Sequence, residues 1–148
     1  MRTIHAAPLL RLTLDEEPRP DHAVLVSGDR VEAVAPLDEL TEAYPGVRVR
    51  HWAGILGPAL VHDGPLPPAP TPRERVYALF RLGAAAVLAA HLPDPALRAA
   101  AARGGVAVLD RARPPTLVPA GRADLAVFGD DGSCLATVVA GRLVHRRA

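Results

Sequence analysis

The chain contains no lysine; all 17 of its basic residues are arginine. That absence excludes a Schiff-base lysine, the phosphate-binding lysine of a P-loop and a carbamylated-lysine metal bridge. There is one cysteine, Cys134. An intrachain disulfide framework and a cysteine-rich zinc site are therefore excluded, and a reducing, cytoplasmic compartment is expected. Aromatic residues make up only 3% of the chain, namely Trp52, Tyr44, Tyr77, Phe80 and Phe128. The core must be built from Val, Leu and Ala, with few large anchors. No apolar run reaches the ~18 residues of a membrane span, and the N-terminus lacks the basic-then-apolar pattern of a secretion signal, so no membrane partner is expected. Charge of one sign is also missing. Seventeen basic residues face sixteen acidic ones, a balance that argues against nucleic acid, which needs a net basic face. The basic tail "GRLVHRRA" reads as a solvated strand end.

What is present fits one ordinary domain with or without a small appendage. A chain of 148 residues buries roughly 70% of its unfolded surface and needs no covalent staple. The clearest local signal is "HAVLVSGDRVEAVA" (22–35), two β-rich runs flanking Gly28-Asp29, the chemistry of a tight hairpin turn. "PLDELTEAY" then carries apolar residues at 37, 40 and 44, a helical spacing that Pro45-Gly46 ends. "VRVRHW" alternates apolar and basic residues and predicts a strand with one wet face.

After the apolar run "GILGPALV" and His62-Asp63, five prolines in the nine residues of "GPLPPAPTP" predict a stiff, extended connector over 64–71. Thr71, Pro72 and Glu74 form a capping box with proline at the first helical position. Val76, Leu79, Phe80 and Gly83 then share one face. "AAAVLAA" (84–90) reads as a buried strand, Asp94-Pro95 starts a second helix that Gly104-Gly105 ends, and "VAVLD" (106–110) is a further strand. Strand, helix and strand in that order predict a right-handed βαβ crossover. The end returns to β: "ADLAVFG", a turn at Asp130-Asp131-Gly132, "CLATVVA" and "LVHRR". Each terminal hairpin alone would be marginal, so the two chain ends are expected to share one sheet system.

These ends resemble those of the amidohydrolase superfamily, the metal-dependent C–N hydrolases that include imidazolonepropionases and nucleoside-type deaminases. "HAAPLL", "DHAVLVSGDRVEAVAPLDELTEAYPGVRV" and "GILGPALV" match the family's opening in order, and "LVPAGRADLAVFGDDGSCLATVVAGRLVHRR" matches its closing segment. The front looks closest to deaminases of the aminodeoxyfutalosine type. The resemblance implies an α+β protein: a small β-sandwich of the composite type formed by both chain ends (1–63 and 114–148), with a short helix-βαβ insert (72–113). In the family a catalytic (β/α) barrel of roughly 250 residues lies between those ends. Here about fifty residues separate them, too few for a barrel.

The family's metal strand runs Pro-Gly-Leu-Val-Asp-Ala-His-x-His, and its two histidines bind the metal. Pro58, Ala59, Leu60 and Val61 match its start, and His62 and Asp63 take the two places before the first ligand. The ligand positions fall on Gly64 and Leu66, neither of which can coordinate a metal. The resemblance thus implies a family site whose chemistry has been deleted.

A different site remains conceivable. His62, Asp63, His91 and Asp94 form the best polar cluster on offer, at the ends of apolar strands, where α/β folds place ligands. The simpler reading is loop polar groups, with Asp94 a helix cap. His5, His22, His51 and His145 read as surface residues on strand edges or wet faces. Cys134 reads as a half-buried small residue, and Asp110 and Asp124 as turn or cap residues. "GDDG" lacks the spacing of a calcium loop. No Ser-His-Asp order or dinucleotide fingerprint appears.

The expected function is that of a non-catalytic binding or assembly module, without a catalytic residue or a resident cofactor, and partnered as a homodimer or with another protein. The alternatives are a metal-dependent hydrolase or deaminase of C–N bonds, holding zinc or iron, or a small-molecule sensor using a pocket between sandwich and insert.

Overall fold

The computed structural model describes residues 1–147. Its elements run β1 (Arg2–Ala6), β2 (Leu9–Leu10), β3 (Arg19–Pro20), β4 (His22–Ser27), β5 (Arg30–Pro36), α1 (Leu37–Ala43), β6 (Arg48–His51), β7 (Ile55–Pro58), β8 (Leu60–His62), α2 (Pro72–Arg81), β9 (Ala84–Leu88), α3 (Pro95–Gly104), β10 (Ala107–Leu109), β11 (Leu125–Phe128), β12 (Cys134–Val139) and β13 (Arg142–Arg146). The class is α+β, as the sequence implies. Among the described residues no helix is long and apolar enough to cross a membrane.

The first sheet has the order β5-β4-β1-β6. Strand β4 shows why "HAVLV" is apolar throughout. Its residues alternate between faces, and both faces are covered. Val24 and Val26 enter one core, while Ala23 and Leu25 enter another with Ile4, Ala6 and Leu40 of α1. The hairpin turn falls at Gly28-Asp29, as its chemistry predicts.

The second sheet, β13-β12-β11-β7-β2-β3, joins the two chain ends, since β11 pairs antiparallel with β7. Its Leu10, Leu56, Leu125, Val127 and Val138 pack against Val24, Val26 and Val31 of the first sheet, which makes the sandwich. A strap at residues 120–123 sews the sheets together at one end. Ala120 donates to the Val31 carbonyl and Val31 to that of Gly121, both at 2.8 Å, and Ala123 donates to the Asp29 carbonyl at 2.8 Å. The β12–β13 turn closes on this strap through the Gly141 amide and the Ala123 carbonyl, 2.9 Å apart. Gly141 sits at φ +79, and a Cβ there would overlap the Gly28 carbonyl, so only glycine fits.

The far face of the second sheet carries the insert, a three-stranded parallel sheet in the order β10-β9-β8 with α2 and α3. Residues 60–62 were expected with the sandwich strands; they pair instead with β9, so the insert is a β8-α2-β9-α3-β10 unit. The strand breaks at Ala59, whose amide donates to the Asp124 carbonyl at 3.0 Å, and beyond it the chain leaves the second sheet for β9.

Both helix starts follow the sequence. The Glu74 amide donates to Thr71 Oγ1 at 3.1 Å, and the hydroxyl donates back to the Glu74 carboxylate. Asp94 accepts from the Ala96 amide at 2.9 Å. Gly83 does not extend the α2 face: the helix ends at Arg81, and Gly83 turns the chain against the Phe128 ring. Val76, Leu79, Phe80, Leu97 and Ala101 pack with Val87 of β9 and with Ala126 and Val139 of the second sheet. The Thr137 hydroxyl, buried in that interface, donates to the Phe80 carbonyl at 2.7 Å. The proline-rich connector is docked on the insert, with Arg75 donating to the carbonyls of Leu66 and Pro67.

Candidate functional site

Parallel strands β8 and β9 end side by side, and their C-terminal ends bring His62, Asp63 and His91 to one rim of the insert. His91 Nε2 lies 3.7 Å from Asp63 Oδ1, with the two side chains 29% and 74% exposed. A pair that open to water contributes little to stability. His62 is engaged elsewhere: its Nε2 is 3.0 Å from the Pro65 carbonyl oxygen, a contact closing the turn through Gly64. Asp94 spends its carboxylate on the first turn of α3. The strand ends therefore deliver one His–Asp pair. Among the described residues no three His, Cys, Asp or Glu side chains converge in a set able to hold a metal ion.

The two positions that match the family's ligand pair have other roles. Gly64 is backbone at φ +144. Leu66 is a core residue, 2% exposed, in the cluster with Val76, Leu79 and Leu97. A leucine buried in that cluster is packing.

Elsewhere the polar groups are structural. Asp124 receives Arg122 Nε at 2.9 Å on both oxygens and the Ala140 amide at 2.8 Å, and so ties the strap to the β12–β13 turn. Cys134 is buried rather than half-buried, with its Sγ 3.2 Å from the Thr137 hydroxyl, and burial pushes its thiol up. A buried thiol with a raised pKa is a poor nucleophile. Asp131 caps its own turn through the amide and hydroxyl of Ser133. Between the insert sheet and residues 113–124 runs a cleft of ≈ 290 Å³, walled by Val61, Ala86, Ala107 and Pro114, with Arg122 at its edge.

His5 corrects the sequence reading. It was expected at the surface and is only 3% exposed. β1 is a central strand because β6 returns parallel beside it, a pairing between distant segments that no local pattern reveals. The Trp52 indole N–H donates to His5 Nδ1 at 3.1 Å, which leaves the imidazole proton on Nε2. Burial, and then the charge of Arg50, lower the His5 pKa from 6.5 to about 4. His22 and His145 are half-buried, and His51 is exposed as expected.

A family model for the imidazolonepropionase-like composite domain of bacteria matches residues 23–46, which span the β4–β5 hairpin, α1 and the turn after it. No curated protein matches the chain. Among solved structures, the E. coli guanine deaminase aligns over 73% of this chain and 35% of its own, with 15% identity and a TM-score of 0.57. The guanine deaminase from Bradyrhizobium japonicum aligns over 72% of this chain and 34% of its own, with 14% identity and a TM-score of 0.55. The Helicobacter pylori aminofutalosine deaminase aligns over 63% and 29%, at 17% identity and a TM-score of 0.44, too distant a likeness to carry an argument. At such identities the likeness is one of fold. The chain spans 29% to 35% of the length of these structures. The resemblance to the amidohydrolase superfamily stands on the family match and on this shared fold, and it is a resemblance to the composite domain.

Proposed function

We propose that this chain is a non-catalytic binding or assembly module, built on the composite sandwich of an amidohydrolase. The observation that carries the reading is Leu66. The position that the resemblance assigns to a metal-binding histidine is filled by a leucine packed into the core of the insert. Its companion is a glycine, and the neighbouring His62 is engaged with the Pro65 carbonyl. The module has lost the residues of the chemistry and reused their place as packing.

The form of the insert supports assembly. Parallel sheets are ordinarily long and covered on both faces. This one has three strands and two open edges, β8 and β10, and on β10 Val108 is 50% exposed. An open apolar edge is a site for pairing with another chain. The reading is of a homodimer or a complex with a partner protein. Native mass spectrometry at micromolar concentration tests it: a dimer, or a mass increment of a bound partner, is expected. A strictly monomeric chain with nothing bound would overturn the assembly role.

The second reading, a C–N hydrolase or a subunit of one, draws on the His91–Asp63 pair at the strand ends and on the names of the fold neighbours. It requires further ligands from outside this cluster. Stoichiometric zinc or iron that depends on His91 would favour it.

A further inference from the structure

The strand β6 reads Arg-Val-Arg-His. With a period of two, Arg48 and Arg50 share one face of the first sheet, and the register with β1 sets Arg50 beside His5 and Arg48 beside Thr3. β6 is the edge of the first sheet and β13 the edge of the second. The two edges meet at Trp52, the residue that follows β6. The Arg146 guanidinium of β13 lies over its indole, 5.5 Å from the ring centroid, and its N–H is held by His5. One side of the sandwich thus carries Arg50 and Arg146 beside the single tryptophan of the chain and its His5 partner, with Arg48 further along the same strand face.

Among the described residues none of the three forms an ion pair with an aspartate or glutamate. Arg48 and Arg50 are two residues apart on one strand face, and Arg146 reaches that edge over the Trp52 ring. Arg50 has its pKa lowered, first by burial and then by the charges of Arg48 and Arg146. The chain has sixteen acidic residues against seventeen basic ones, yet it pairs none of them here. Two arginines on one strand face and a third held over Trp52, none paired with a carboxylate side chain among the described residues, leave a place for an external counter-charge.

We propose that Arg48, Arg50 and Arg146 form a binding site for the phosphate group of a small molecule. Guanidinium forks match phosphate oxygens in bidentate geometry. A doubly charged oxyanion offsets the repulsion of three cations, whereas one carboxylate leaves two uncompensated. The site lies on the sandwich, away from the β8 and β9 strand ends, and it is independent of whether the insert catalyses anything.

The probe is inorganic phosphate, and Trp52 is the built-in reporter. Its fluorescence is titrated at an ionic strength held constant with sodium chloride, with sodium acetate as the parallel arm. The expected result is a saturable change with phosphate, none with acetate, and a phosphate-dependent rise in the unfolding midpoint. R50Q and R146Q should each weaken the apparent affinity at least tenfold, while R30Q leaves it unchanged. Circular dichroism checks the fold of each variant; if R50Q does not fold, R48Q, at an exposed position, takes its place. A linear response, an equal response to acetate, or unchanged affinity in folded R50Q and R146Q would overturn the proposal.

Discussion

Replacing Leu66 by histidine restores one residue of the metal pair that the family resemblance implies, and it separates a packing position from a vacant site. Leu66 is 2% exposed among Val76, Leu79 and Leu97. The change removes a leucine burial that stabilises the fold by about 1.5–3 kcal/mol. It also places an imidazole among apolar side chains, where an unpaired polar group costs roughly 1–3 kcal/mol more. The sum, about 2.5–6 kcal/mol, is a large part of the ~5–15 kcal/mol that holds a typical domain together. At roughly 2–4 °C per kcal/mol for a domain of this size, the unfolding midpoint should fall by on the order of 10 °C. Leu66→Met, which conserves volume, should cost less than about 1.5 kcal/mol. The assay is thermal unfolding followed by circular dichroism, with and without excess zinc, on Leu66→His and on the double variant Gly64→His/Leu66→His. The reasoning is refuted if Leu66→His melts with the parent chain, or if zinc lifts either variant back to the parent midpoint.

Three further outcomes follow from the same structure. His5 is neutral in the fold with its pKa lowered to about 4 from 6.5, so between those values the unfolded chain binds a proton that the folded chain refuses. Stability is therefore whole above pH 6.5 and falls as the pH drops toward 4, by up to about 3 kcal/mol. Urea unfolding at pH 7 and pH 4.5 should show this loss. His5→Leu should remove it, at a fixed cost of about 1 kcal/mol for the Trp52 N–H left unpaired. Asp124→Ala strips the acceptor from Arg122 and the Ala140 amide and should cost about 2 kcal/mol, while Asp124→Asn, which keeps an acceptor for Ala140, should cost roughly half as much; chemical denaturation measures both. Gly141→Ala drives a methyl group into the Gly28 carbonyl where the two hairpin turns abut, and should lower the midpoint more than Gly132→Ala, which has the same sign of φ and open space around it.

Local chemistry was the legible part of this chain. The capping box at Thr71, the Asp94-Pro95 start and the Gly28-Asp29 turn each depend on neighbours in sequence, and each forms as read. What escaped the sequence reading depends on distant partners. The parallel return of β6 beside β1 buries His5, and nothing within "RTIHA" signals it. The three residues of β8 carry too little pattern to say which sheet they join, and they join β9 after the break at Ala59. The same holds at the strand ends: that His62 and His91 each follow an apolar strand was legible, whereas the pairing of His91 with Asp63 was not. That His62 closes its own turn was not, because the Pro65 carbonyl reaches it only through the backbone path at Gly64. The arginine cluster joins β6 to β13 across the sandwich, and only the assembled fold brings those two edges together.

The claim that matters most is that residues 62–66 no longer hold a metal centre. Metal analysis of protein purified without chelators, on the intact chain and on His62→Ala and His91→Ala, tests it most directly. The account predicts well under one zinc or iron per chain, and no difference among the three proteins. One metal ion per chain, lost when His62 or His91 is replaced, would contradict it.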